Sequence, residues 1–126
     1  MTTWPIIVTV PFLPPSPNKL LGRHWRASHQ VKRIWQDAIY YLLTKAQRDE
    51  IALVGHSDQK LGIMITQFRN RRLDPDNLTA SVKVCLDAMT RGGLIADDSE
   101  RHIKLVVDQK DALGTPQRTL VSFHKE

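Results

Sequence analysis

The chain has 126 residues, the usual length of one domain, so we take residues 1–126 as a single domain. Its 41% hydrophobic and 25% charged residues exclude a disordered or fibrous class of protein. The formal net charge of +5 suits a polyanionic partner such as nucleic acid, although proteins without such a partner also reach this charge.

Cysteine usage and hydropathy bear on the compartment. Cys85 is the one cysteine, so an intrachain disulfide is excluded, as is usual in a reducing cytosol. No apolar run approaches the ~18 residues that a membrane span needs. The first residues lack the basic and apolar regions of a signal peptide. These features predict a cytoplasmic protein with no membrane partner.

The first half of the chain predicts one strand and one long helix. β-Branched residues over 6–10 are typical of a strand, and the prolines that follow it end the strand. After a basic loop, apolar residues at helical spacing predict a helix from Ser28, as its N-cap, to about residue 48. Trp35 lies on the apolar face of this helix and is predicted to be a core residue.

The second half predicts one helix and three strands. The first of these strands places Gln67 on the same side as its apolar residues. The helix starts near Asp76 and ends at Gly92–Gly93, since glycine accepts a left-handed conformation. The whole order is β-α-β-α-β-β, which predicts an α+β fold with two helices packed on a mixed sheet. The three strands cover residues 61–68, 103–107 and 119–123.

Aspartates follow both the second strand and the second helix. Pro75 favours an extended Asp74, whose side chain would then point to the same side as that of Asp76. If Asp98 also folds back, three like charges converge, which is costly unless a cation neutralises them. Oxygen ligands alone select Mg²⁺, with Mn²⁺ as a possible substitute. An aspartate before a helix is most often only a cap, and that is the plainer interpretation of Asp76.

Lys83 is the candidate cation beside these carboxylates. It lies seven residues after Asp76, close to two helical turns, so both would share one helix face. Its side chain leans toward the helix N-terminus and thus toward the carboxylates. Such a lysine could stabilise the negative charge that builds on a phosphate in its transition state. The alternative is a solvated ion pair with Asp87, worth a few tenths of a kcal/mol.

Basic residues precede both the long helix and the first aspartate. Phosphate contacts by such residues make DNA affinity fall steeply with salt. The alternative is a solvated basic surface, in which roughly half of them matter little. Trp25 is a candidate for stacking on an exposed base or for packing in a dimer interface. The residues predicted to bind DNA are Lys19, Arg23, Arg26, Lys32, Arg33, Arg69, Arg71 and Arg72.

Several of these motifs together resemble the RusA family of Holliday junction resolvases, small endonucleases that phages and prophages often encode. The likeness covers most of the chain, including a strand that leads into prolines, a basic loop and a long helix. It is carried by Asp74–Leu78, Lys83–Met89, Gly92–Gly93, Asp97–Ser99 and Pro14–Lys19.

The resemblance implies a homodimer that binds four-way DNA junctions and cuts two symmetric strands with Mg²⁺. It implies that Asp74, Asp76 and Asp98 are the essential carboxylates and metal ligands. Asp97 is then an alternate metal ligand, and Lys83 is the catalytic lysine. The function expected is resolution of Holliday junctions in DNA recombination and repair.

One position departs from the family pattern and keeps alternatives open. The family lysine comes four residues after the second aspartate, where this chain has Ala80. An insertion of three residues shifts the ammonium group of Lys83 by roughly 5 Å along the helix. A branched-DNA-binding protein with lost or altered catalysis is therefore one alternative. Others are a Mg²⁺-dependent phosphoesterase with other substrates, although no glycine-rich phosphate motif occurs, and an unrelated globular domain.

Overall fold

A four-stranded mixed sheet with helices packed on it forms the fold, as the sequence predicts. We describe it from a computed structural model that covers residues 3–15 and 25–126, with side chains in the second range from residue 29 onward. The elements in chain order are β1 (Ile6–Val10), α1 (Trp25–Leu42), α2 (Lys45–Gly55), β2 (Leu61–Arg69), α3 (Pro75–Ser81), α4 (Lys83–Arg91), β3 (Ile103–Asp111) and β4 (Arg118–Lys125).

The strand order is β1-β4-β2-β3, so the sheet is mixed. β2 pairs with β3 in parallel, and β4 pairs antiparallel with both β1 and β2. The parallel pair needs a crossover connection, which α3 and α4 supply. The loop before α3 therefore leaves the end of β2, and the loop after α4 leads back to the start of β3.

Strand β2 and helix α1 contribute much of the hydrophobic core. Ile63 and Ile65 of β2 are fully buried, as predicted, but Gly62 and Thr66 on the other side of the strand are buried as well, so β2 does not alternate between core and solvent. Trp35 of α1 is 1% exposed, which confirms it as a core residue, and its ring meets that of Phe12 edge to face with centroids 5.1 Å apart. No helix within the described ranges has both the length and the apolarity to cross a membrane.

The long helix predicted from Ser28 is two helices. α1 begins at Trp25, so Ser28 is not its N-cap, and it ends before Thr44. Thr44 starts α2 with a capping box: the backbone N–H of Gln47 donates to Thr44 Oγ1 (3.1 Å), and that of Thr44 donates to Gln47 Oε1 (2.9 Å). The local cap therefore ends a helix that the apolar period alone would continue.

The second predicted helix is also divided. It starts at Pro75, one residue earlier than predicted, and Val82 separates α3 from α4. At its far end the prediction is confirmed, because Gly92 is the C-cap and Gly93 adopts a φ of +82°. The break at Val82 means that Asp76 and Lys83 belong to different helical segments.

A close backbone contact fixes the loop after α4. The last residue of α2, Gly55, lies against the carbonyl group of Leu94: a Cβ atom built on Gly55 would be 2.0 Å from that oxygen. The backbone N–H of Ala96 donates to the Gly55 carbonyl oxygen (3.1 Å). The chain is thus held to α2 immediately before it reaches Asp97 and Asp98.

Candidate functional site

Asp74 is the N-cap of α3. It is extended (φ −66°, ψ 160°), as the following proline favours, and its Oδ1 accepts a hydrogen bond from the Asn77 backbone N–H (2.9 Å). Its Oδ2 accepts from Asn77 Nδ2 (2.7 Å), so the asparagine orients the carboxylate. Asp76 lies exposed inside the first turn of the helix, and the extended geometry predicted for the pair therefore holds only for Asp74.

Gln109 of β3 holds the residue before Asp74. Its Oε1 accepts from the Leu73 backbone N–H (2.9 Å), and its Nε2 donates to the Leu73 carbonyl oxygen (2.8 Å). Gln109 is buried and Leu73 is half-buried, so both bonds are partly shielded from solvent. The side-chain amide thereby serves as a backbone partner for a loop residue that has left β2.

Gln67 and Arg69, at the end of β2, support the same loop from within. Gln67 Nε2 donates to Ser81 Oγ of α3 (2.8 Å), and Arg69 Nη1 donates to Gln67 Oε1 (2.8 Å). Arg69 Nε also donates to the Arg71 carbonyl oxygen (3.0 Å), and burial lowers the pKa of the Arg69 guanidinium. Neither Gln67 nor Gln109 is among the site residues predicted from the sequence. The available signal was the position of Gln67 on the buried side of an apolar strand.

We expect Gln109→Leu to destabilise the loop that carries Asp74. The substitution keeps a side chain of similar size but leaves the Leu73 N–H and C=O groups unpaired, which costs about 1–3 kcal/mol for a buried polar group. Urea unfolding followed by circular dichroism measures this loss.

Gln117→Leu is the matched control for that substitution. Gln117 is exposed and accepts one bond, from the Asn70 backbone N–H (2.9 Å), so solvent can replace it and the expected loss is under about 1 kcal/mol. Equal losses of stability in the two variants would show that the two hydrogen bonds between Gln109 and Leu73 contribute no more than one exposed bond.

Lys83 and Asp98 meet at the start of α4. Lys83 Nζ lies 2.5 Å from Asp98 Oδ2 and 3.4 Å from Asp87 Oδ1. The other oxygen of Asp87 is 3.2 Å from Lys32 Nζ of α1, so two lysines and two aspartates alternate across the surface. The hydrogen bond that Lys83 donates to Asp98 raises the pKa of Lys83, which keeps the ammonium group charged. The ion pair between Lys83 and Asp87, predicted as the alternative, is thus present. Asp98 is nevertheless the nearer of the two carboxylates to Lys83.

Asp97 has different partners from Asp98. Its Oδ1 accepts from the Ser99 backbone N–H (2.8 Å), and its Oδ2 lies 3.7 Å from His102 Nε2. Hydrogen bonding to Ser99 lowers the pKa of Asp97. The two neighbouring acids therefore serve separate contacts, one with the turn that leads to β3 and one with Lys83.

The predicted DNA-binding residues fall into three groups. Lys19 and Arg23, and the side chains of Arg26 and Trp25, lie outside the described residues. Lys32 and Arg69 take part in the internal contacts given above. Arg33, Arg71 and Arg72 are exposed and remain available to a polyanion.

A groove of about 880 Å³ lies beside the loop before Asp74. Arg69 and Arg71 line one part of it, and Phe12, Ile34 and Trp35 line the apolar part. The cationic wall suits the phosphate of a nucleotide, and the apolar wall suits its base.

The structure brings Lys83 and Asp98 together, but it does not bring the predicted acids together into one metal-binding group. Among residues 3–15 and 25–126, no group of three or more His, Cys, Asp or Glu side chains is arranged to hold a metal ion. The donor chemistry still fits Mg²⁺, which commonly takes one or two carboxylates and completes its shell with phosphate oxygens and water. A three-aspartate site within this chain remains a prediction.

Comparisons with known proteins neither support nor contradict the resemblance to the RusA family. Neither the models of known protein families nor the curated proteins give a match to this chain. Membership of the RusA family therefore stays a prediction that rests on the motif residues.

Proposed function

We propose that this protein is a Mg²⁺-dependent endonuclease that cuts branched DNA, with four-way junctions as its substrate, in DNA recombination and repair. The observation that carries the proposal is the contact between Lys83 Nζ and Asp98 Oδ2, whose residues are 15 positions apart in the chain. An exposed lysine beside a carboxylate is an arrangement suited to phosphate chemistry. A structural ion pair alone would not need the N-cap residue Asp74 or the exposed Asp76 in the same motif.

Each residue has a defined part in the proposed reaction. Asp74, Asp76 and Asp98 would hold the cation, with DNA phosphate oxygens as the remaining ligands. When bound, Mg²⁺ supplies Lewis acidity toward the scissile phosphate. Asn77 keeps the Asp74 carboxylate oriented. Lys83 offers its ammonium group to the negative charge that develops on the phosphate.

DNA recognition in this proposal is electrostatic and symmetric. The exposed Arg71 and Arg72, next to Asp74 in the chain, bind phosphates that flank the cut. A four-way junction has approximate two-fold symmetry, so a homodimer with a two-fold axis would present two equivalent sites to it. The protein would then make paired nicks.

The test uses a synthetic four-way junction and a linear duplex of matched sequence. Each is incubated with the protein in Mg²⁺, in Mn²⁺ and in EDTA, alongside Asp76→Asn. We expect paired symmetric nicks in the junction only, which EDTA and Asp76→Asn abolish. Asp76 is exposed and no described residue pairs with it, so the substitution should leave the fold intact. Cutting that persists in Asp76→Asn contradicts the assigned site.

A second candidate function is binding of branched DNA without cutting. The lack of a three-acid group within the described residues favours it, as does the altered spacing between Asp76 and Lys83. The same assay separates the two: tight binding to the junction with no nicks in any metal supports the binding protein. Cutting of small phosphate esters but not of DNA would instead support the phosphoesterase alternative.

A further inference from the structure

The acids of the candidate site are largely engaged with donors of the protein itself. Both oxygens of Asp74 accept hydrogen bonds from Asn77. Asp97 accepts from Ser99. Asp98 accepts from Lys83, the only one of these donors that carries a full positive charge.

We propose that Lys83 occupies the cation position at Asp98 in the free protein, and that binding of a divalent cation moves its ammonium group from Asp98 to Asp87. This inference rests on the proposed function, because it concerns the regulation of that site. In the free protein Lys83 then competes with the metal for the Asp98 carboxylate. After the metal binds, the ammonium group is available to the phosphate.

The distances show that the ammonium group of Lys83 can pair with either of two carboxylates, those of Asp98 and Asp87. Its Nζ lies 2.5 Å from Asp98 Oδ2 and 3.4 Å from Asp87 Oδ1, so a small rotation of the long side chain exchanges one carboxylate for the other. Asp87 is on the same helix, four residues on, where such pairs form readily. The side chain of Lys83 is 60% exposed, so most of it can move in solvent during the exchange.

Asp98 remains open to an incoming ion. Its side chain is 34% exposed, and only Oδ2 is bonded to Lys83. A hard cation prefers the carboxylate oxygens that the ammonium group now holds, and two cations cannot share one oxygen without repulsion.

Lys32 limits how strongly Asp87 attracts Lys83. It holds the other oxygen of Asp87 at 3.2 Å from α1, so the Asp87 charge is already shared. This explains why Lys83 rests nearer to Asp98. The transfer to Asp87 is then favourable only when a divalent cation takes the Asp98 position.

The test measures Mn²⁺ binding without DNA, from the electron paramagnetic resonance signal of free Mn²⁺. We expect Lys83→Met to bind Mn²⁺ about two- to fivefold more tightly than the wild type, the range that corresponds to an exposed ion pair. The gain should vanish in Lys83→Met combined with Asp98→Asn. Lys45→Met is the control, since Lys45 forms a similar exposed pair with Asp49 (2.7 Å) on α2.

A second readout follows the lysine itself. Reductive methylation with ¹³C-formaldehyde gives each lysine a resolved NMR signal, and Mg²⁺ should shift the signal that Lys83→Met lacks. The Lys45 signal should not move. This measurement detects the departure of Lys83 from Asp98 and does not depend on removing a charge.

The outcomes separate this inference from the proposed function. Mn²⁺ binding that depends on Asp98 but is unchanged by Lys83→Met overturns the inference alone. So does an equal gain from Lys32→Met, because removal of any nearby positive charge would then explain the result. Absence of Mn²⁺ binding in every variant overturns the proposed metal site together with the inference.

Discussion

Asp98→Asn is expected to lower the rate of junction nicking by about a hundredfold or more, the usual loss when a group that stabilises the transition state is removed. Asparagine keeps the size of the side chain but removes the charge that a cation and Lys83 both need. The side chain is about one-third exposed, so the fold should survive. Single-turnover nicking of a four-way junction measures the rate, and circular dichroism checks the fold.

Asp49→Asn is the matched control for that variant. Asp49 also accepts a hydrogen bond from a lysine, Lys45, but on α2, which contains none of the motif residues. Its loss should leave nicking within about twofold of the wild type, since an exposed ion pair contributes little. Asp97→Asn should lose less than Asp98→Asn, because Asp97 serves the turn at Ser99. If Asp98→Asn nicks at the wild-type rate, the proposed role of Asp98 is wrong.

Gly55→Ala should destabilise the whole protein by about 1–3 kcal/mol, the usual cost of overpacking. The added Cβ would lie 2.0 Å from the Leu94 carbonyl oxygen, which is backbone and cannot rotate away. The helix and the loop before Asp98 must then move apart, and the bond from Ala96 to the Gly55 carbonyl would weaken. Urea unfolding measures the loss, and nicking should fall because Asp98 is displaced.

Gly62→Ala tests whether the added methyl group alone explains that result. A Cβ on Gly62, in β2, would lie 2.1 Å from His124 Nε2, but this atom is the far end of a rotatable side chain. His124 can take another rotamer, so the expected change is within about 1 kcal/mol. A Gly55→Ala protein as stable as Gly62→Ala would contradict the close approach of Leu94.

The general fold could be predicted because the hydrophobic period is strong in most elements. The burial of Trp35, the buried side of β2 and the glycine stop at Gly92–Gly93 all followed from local pattern. The helix breaks at Thr44 and Val82 did not. At Thr44 the chain satisfies a capping box, a local preference that competes with an apolar stripe that continues across it.

The candidate site could be predicted in its residues but not in its contacts. Spacing placed Lys83 near the acids, yet it suggested Asp87 and not Asp98 as the nearer partner, because the return of the loop after α4 depends on the contact between Gly55 and Leu94. Gln109 was missed for a similar reason. Its partner, Leu73, is 36 residues away, and no sequence period records a bond between a strand and a distant loop.

The position of β1 in the sheet has a consequence for biosynthesis. β1 pairs only with β4 within the sheet, in a register that joins Ile6 to Phe123. β1 leaves the ribosome before β4 and must therefore wait for β4 before it can form these hydrogen bonds. Contacts so distant in the chain slow folding, and an apolar strand that waits unpaired is exposed to wrong partners.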